Sequence, residues 1–405
     1  MYLSSAMRNL GAALGGFAVF GLSAASAADL QTNVFQNGEA AFIVSHIAYA
    51  LSKDASETGA CPDGMTQGNT ELFSQTPEGR RHEGESDQDY AHRVSQGAQV
   101  LSTAPNGQNL CMNPEAGGPD PHFRTVTGKN VPADGIDLDG QDSRLGGKAA
   151  PNTCAHDDFL GLHGEHGIDN QFFRLVGCSK SFQSTGQSNT YEIAMYTGEW
   201  GILITLKGVN DLRNASNVEV GLYASADPIQ LSPTREALPN ATYAMDQDPR
   251  FRATAHGRIV NGVLTTDPVD VRFHWVVNSI HLERPLRNAR LRMTFTPDGG
   301  LEGILAGYTP TEEMYDLQYG FRNGKDAAGN PANTRLISGS ANGQARVLDH
   351  TCQGAYYAMK QLADGDRDPK TGQCTSISTQ YRIKAIPAFV VDSATHSVNE
   401  VLDKK

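Results

Sequence analysis

The sequence predicts a mainly β fold, an antiparallel sandwich or open barrel, with a few peripheral helices and long disulfide-pinned loops. Three observations lead there. Between residues 190 and 310, short apolar runs of strand composition recur, closed by turn signals at intervals of about 8–12 residues. The 42 glycines and 19 prolines of the 405 residues make about 15% of the chain, above a usual sum of about 12%. Six cysteines follow what reads as an export signal, which implies a disulfide framework.

Residues 1–27 read as a secretory signal peptide. Arg8 supplies the positive start, residues 10–22 the apolar stretch, and Ala25-Ser26-Ala27 the small-x-small pattern of a cleavage site. The stretch is shorter than the roughly 20 apolar residues that span a bilayer. No later run is long and apolar enough either, so no membrane span is expected, and the mature chain is placed in the periplasm or outside the cell. The formal charge of -12 excludes nucleic acid as a partner, because phosphate binding needs clustered Lys and Arg. It suits divalent cations or cationic partners.

Residues 28–150 read as a loop-rich N-terminal region with an acidic loop, and residues 151–405 as the β-rich domain. Residues 40–51 are apolar with an ambiguous period. Ser86 caps a helix carrying Tyr90, Val94, Val100 and Leu101. Residues 113–151 are crowded with Gly, Pro and Asp and read as loop. Strand composition marks residues 191–196, 201–206 and 218–223. Asn261-Gly262, between two apolar runs, is the strongest two-residue hairpin signal. In residues 271–277, Val271, Phe273, Trp275 and Val277 share one face of a strand, with Arg272 and His274 on the other. Two more strands, 291–295 and 301–305, flank the turn Pro297-Asp298-Gly299-Gly300. Thr309-Pro310-Thr311-Glu312 reads as a capping box with Pro at the first helical position, with Met314, Leu317 and Phe321 as the apolar face. Ala355, Tyr356, Met359 and Leu362 recur at helical spacing before the stop Asp364-Gly365. Residues 381–391 read as a last strand, placed at an edge by Pro387.

The cysteines are Cys61, Cys111, Cys154, Cys178, Cys352 and Cys374. Nearest-neighbour pairing is simplest: Cys61 with Cys111, Cys154 with Cys178, Cys352 with Cys374. The absence of any CxxC removes the signature of zinc knuckles, thioredoxin chemistry and c-type haem attachment.

Three stretches carry candidate ligands. Asp134, Asp137, Asp139 and Asp142 alternate with Gly135 and Gly140. Alternate carboxylates in a glycine-containing loop can converge on calcium, which takes about six to eight oxygens. Over these nine residues the loop resembles the Asp-rich calcium loops of dockerins and thrombospondin type 3 repeats. It departs from an EF-hand, whose twelfth position needs Glu and here holds Leu145. A second loop offers Asp364, Asp366 and Asp368, with Pro369 where an EF-hand has Gly and with Arg367 and Lys370 as alternative partners for the acids. The third stretch, His156-Asp157-Asp158 to His163-Gly164-Glu165-His166-Gly167-Ile168-Asp169, offers His156, His163 and His166 to a transition metal or as a general base. Solvated turns are the plain alternative for all three. There is no GxSxG elbow, phosphate loop or GxGxxG, and Trp200 and Trp275 are read as core before they are read as a sugar platform. The expected function is that of an exported, calcium-stabilised binding or structural protein of unknown ligand, whether small molecule, glycan or protein. The alternative is a metal-assisted hydrolase or lyase built on the cluster from His156 to Asp169. Whether the chain is an enzyme stays open.

Overall fold

The computed structural model describes residues 34–393, except 129, 185, 187–191, 199, 278–279, 333–347 and 349; the candidate signal peptide lies outside the described residues. Fourteen strands are named: β1 (Ala40–Tyr49), β2 (Ile202–Lys207), β3 (Asn214–Ala224), β4 (Thr242–Ala244), β5 (Arg252–Val260), β6 (Val263–Thr266), β7 (Val269–Val277), β8 (Ile280–Phe295), β9 (Leu301–Pro310), β10 (Gly324–Lys325), β11 (Pro331–Ala332), β12 (Gly365–Arg367), β13 (Cys374–Pro387) and β14 (Phe389–Val391). The main sheet runs β1-β2-β3-β5-β6-β8-β9-β13-β12, and β1 also pairs with β13. The ladder therefore returns on itself. Eight antiparallel strands, β1, β2, β3, β5, β6, β8, β9 and β13, form a closed ring, which leaves β12 as an appendage on β13.

Alternation sets the inside of the ring. Val218, Val220, Leu222 and Ala224 of β3, Leu291 and Met293 of β8, and Ile377, Tyr381 and Ile383 of β13 are buried at every second position. The Asn261-Gly262 hairpin joins β5 to β6, both residues taking the positive φ that a type I′ turn requires. β8, with 16 residues, is about three times as long as the expected strand 291–295. Its first half pairs with β7 and its second half with β6 and β9. The bend falls at Asn288, which has a positive φ, where both ladders shift register. The β7–β8 hairpin packs on β3 and β5. It brings Trp275 and Arg284 to Tyr381: the guanidinium carbon lies 3.7 Å from the centroid of Trp275 and 5.0 Å from that of Tyr381. Trp200 sits 4.7 Å from Trp275, so both tryptophans are core. The other face of β7 is covered too: His274 is buried against Phe251 and meets Asp246 at 2.8 Å.

Several sequence expectations are corrected here. Residues 192–198 form a helix, Glu192–Gly198, which burial of Met195 against β7 and β1 stabilises in place of a strand. Thr309 does not cap the next helix. It and Pro310 extend β9, and the helix Thr311–Tyr315 runs into a π-turn, Asp316–Gly320, although Met314, Leu317 and Phe321 are buried as expected. The last long strand, β13, begins at Cys374 and is central, paired with β1 and β9. Pro387 is tolerated because it ends the ladder, where its carbonyl accepts the Asn240 N–H. The helix Cys352–Gln361 forms where periodicity places it, and Ser86 caps a helix as expected, but that helix ends at Gly97; Val100 and Leu101 fall in a separate 3-10 turn, with Val100 exposed.

The cysteines pair as Cys61–Cys178, Cys111–Cys352 and Cys154–Cys374. Each joins partners far apart in sequence, and for Cys111–Cys352 and Cys154–Cys374 barrel closure brings the two ends of the chain together; nearest-neighbour pairing is overturned. The segment before residue 151 supplies β1 to the ring and is tied by two of these bonds to later residues. Among the described residues no helix is long and apolar enough to cross a membrane, and three disulfides fit an oxidising compartment.

Candidate metal centre

The acidic loop lies on the outer wall of the barrel. Ile136 and Leu138 pack on Ile304, Ala306 and Tyr308 of β9, which explains why these three are apolar although they point away from the ring. Gln380 of β13, fully buried, clips the loop down: its amide oxygen accepts the Ile136 N–H at 2.8 Å, and its amide nitrogen donates to the carbonyls of Ile136 (2.6 Å) and Asp169 (2.5 Å). A Cβ at Gly135 would collide with the Gln380 amide, and Gly135 takes a φ of 152°, so this glycine permits the clip.

A second segment, residues 154–170, runs beside the first. Ala133 donates to the Leu160 carbonyl, and Phe159 and Ile168 exchange backbone bonds. Asn170 caps the helix Gln171–Val176 and donates to the carbonyls of Ala50 and Asp134. This delivers Asp169, 4% exposed, beneath the acidic loop. One carboxylate oxygen from each of Asp137, Asp139 and Asp169 lies within 4.8 Å of the others.

Hydrogen bonds fix all three carboxylates. Asp137 accepts from the N–H of Gly140 at 2.6 Å. Asp139 accepts from Gln141 N–H, Ala150 N–H and the Thr153 hydroxyl. Asp169 accepts from Leu138 at 2.6 Å and from Asp139 at 3.3 Å. Among the described residues none of the three has a cationic ion-pair partner. Burial holds the Asp137 carboxyl above its ordinary value. Burial, reinforced by Asp364 and Asp158, holds Asp169 well above its own. Two more buried carboxyls stand near: Asp158, pushed up to about 6, and Asp364, pushed up to about 7, each mainly by burial. Tyr308 completes the surroundings. It is 3% exposed, its hydroxyl has no hydrogen-bond partner among the described residues, and it lies within the field of Asp169, Asp364, Asp139 and Asp137.

The other predicted ligands are dispersed. Asp134 forms an ion pair with Arg382 at 2.6 Å. Asp142 is bound by Arg144 at 2.6 Å and His166 at 3.1 Å. Asp364 accepts from the Ser378 N–H, Asp366 pairs with Arg287 and the Ser376 hydroxyl, and Asp368 closes a turn through the Lys370 N–H. His156 bonds the Ala363 carbonyl at 3.0 Å, while His163 sits on an exposed turn closed by Glu165. The three histidines thus take separate partners, and among the described residues the triad is the group whose ligand atoms converge.

Sequence reasoning found Asp137 and Asp139 but assigned Asp169 to the histidine-rich stretch, and it missed Tyr308. No local spacing links residue 169 to residue 137; only the paired course of the two segments does. No family model, characterised protein or solved structure matches the chain.

Proposed function

We propose that this chain is an exported binding protein whose barrel wall carries a divalent-cation clamp formed by Asp137, Asp139 and Asp169. Calcium is the cation the donors suit best: they are hard carboxylate oxygens, with neither thiolate nor converging imidazole to favour zinc, copper or iron. The observation that carries the reading is a set of three fixed carboxylates that form no ion pair among the described residues, beside a buried tyrosine hydroxyl that has no hydrogen bond among them. Buried charge is costly unless it is compensated; Arg290 acts on Asp137 without pairing with it, and a calcium ion at this point supplies the counter-charge for all three. The clamp's role is to hold the acidic loop against β9 and β13, and so to order the neighbouring surface for a ligand.

Thermal unfolding in chelator and in millimolar calcium tests this. An ion that binds only the fold stabilises it by about 2.7 kcal/mol at a hundredfold excess over Kd, which in a chain of this size raises Tm by a few degrees. Superimposable curves for the wild type would contradict the clamp.

A further inference from the structure

A cavity of about 400 Å³ is lined by Val131, Arg144, Asp157, Asp158, Phe159 and Arg174 among others, and shares Asp158 with the surroundings of the clamp's Asp169. Its volume is that of a small-ligand site. Arg174 forms its most constrained wall. The guanidinium lies over the ring of Phe159 with its carbon 4.4 Å from the centroid. It donates from Nε to the Gln171 side chain at 2.8 Å, from one terminal nitrogen to the Val126 carbonyl at 2.9 Å, and from the other to the Asp157 carbonyl.

All three acceptors are neutral, and among the described residues Arg174 has no ion pair. Of the five N–H groups a guanidinium offers, two are left over. Arg144 adds a second cation to the lining. Its own carboxylate partner, Asp142, lies outside the cavity. On the other side the Asp157 carboxylate is exposed and has no hydrogen bond among the described residues. One cavity thus presents a preorganised cation and a free carboxylate, with Phe159 and Val131 as apolar parts of its lining. A dianion such as phosphate would meet repulsion from Asp157 and Asp158. A simple amine would leave Arg174 unmatched.

We propose that this cavity binds a free α-amino acid, with its carboxylate on the two remaining N–H groups of Arg174 and its ammonium on the carboxylate of Asp157. The proposal rests on the reading of the chain as a binding protein, and not on the cation.

Isothermal titration calorimetry of the full chain, after signal removal, with each of the common L-amino acids tests it, in chelator and in calcium. At least one should bind. Its methyl ester, which lacks the carboxylate, and its N-acetyl form, which lacks the ammonium, should each bind about tenfold more weakly or worse. D157N should lose affinity for the parent amino acid by a similar factor while keeping the wild-type unfolding curve, since no hydrogen bond among the described residues uses that carboxylate. R174Q should abolish binding; where it unfolds the protein, the ester comparison on the wild type decides the carboxylate contact. Silence across all the amino acids would overturn the proposal, as would an ester and an N-acetyl form that bind as tightly as the parent. Amino-acid binding without a calcium effect on Tm would sink the clamp alone, and the reverse would sink the cavity alone.

Discussion

The carboxylate of Asp169 accepts the backbone N–H of Leu138 at 2.6 Å, joining two segments 31 residues apart. One side chain thus serves two ends, since it both anchors the acidic loop and belongs to the triad. The two roles separate by substitution. Asp169→Ala leaves a buried N–H unpartnered, at a cost of about 1–3 kcal/mol. Asp169→Asn keeps an acceptor oxygen and removes one charge from an uncompensated group. In chelator at pH 8, urea unfolding should rank D169N level with or above the wild type and D169A below both. In calcium the wild type should overtake D169N. A D169N variant as unstable as D169A in chelator would mean that the carboxylate is merely structural.

The stabilisation by calcium should depend on pH with a definite sign. Asp158 and Asp364 are held up to about 6 and about 7, so each takes up a proton on folding between its ordinary value near 3.8 and its folded value. These groups favour the fold below that window and cease to favour it as pH rises through it. His156 and His350, lowered by burial, act with the opposite sign, gaining stability toward pH 6.5, but they do so with or without the ion. Asp158 and Asp364, too, titrate with or without the ion. The difference in Tm between calcium and chelator isolates the ligand carboxyls, of which Asp137 and Asp169 are held above their ordinary value by burial, so that protons compete with the ion at lower pH. That difference should be small at pH 5 and full at pH 8. A difference that stays constant across that range would show that protons do not compete for this site.

The Cys154–Cys374 bond sits against the centre. Thr153 donates to Asp139 at 2.6 Å, and the Cys154 N–H donates to the Asp364 carbonyl at 2.8 Å. C154A/C374A should lower stability by about 2–5 kcal/mol. It should also weaken calcium binding roughly tenfold in calorimetry, because Asp139 loses its support. Unchanged affinity in the folded double variant would uncouple the bond from the site.

Local chemistry made part of this molecule legible. Asn261-Gly262 signalled a hairpin, Ser86 signalled a helix start, and strand composition in β3 with alternation in β7 marked the sheet. What stayed hidden depends on closure. The β1–β13 ladder joins strands more than 300 residues apart and turns an ambiguous run, residues 40–51, into a stave of the ring. That closure also explains the partners in Cys111–Cys352 and Cys154–Cys374 and the centrality of β13 despite Pro387. The apolar Ile304, Ala306 and Tyr308 on the outer face of β9 seat Ile136 and Leu138. At the site, Asp137 and Asp139 announced themselves by alternation within one loop. Asp169 and Tyr308 did not, because each reaches the centre from a distant segment.

Calcium stoichiometry tests the central claim most directly. Wild-type protein stripped with chelator, dialysed against calcium at pH 8 and measured by elemental analysis should hold one tightly bound ion per chain. D137N/D169N should hold none, while D134N and H163A/H166A keep the wild-type content. Wild-type protein without bound calcium, or a D137N/D169N variant that retains the ion, would contradict the assignment of these carboxylates as a cation clamp.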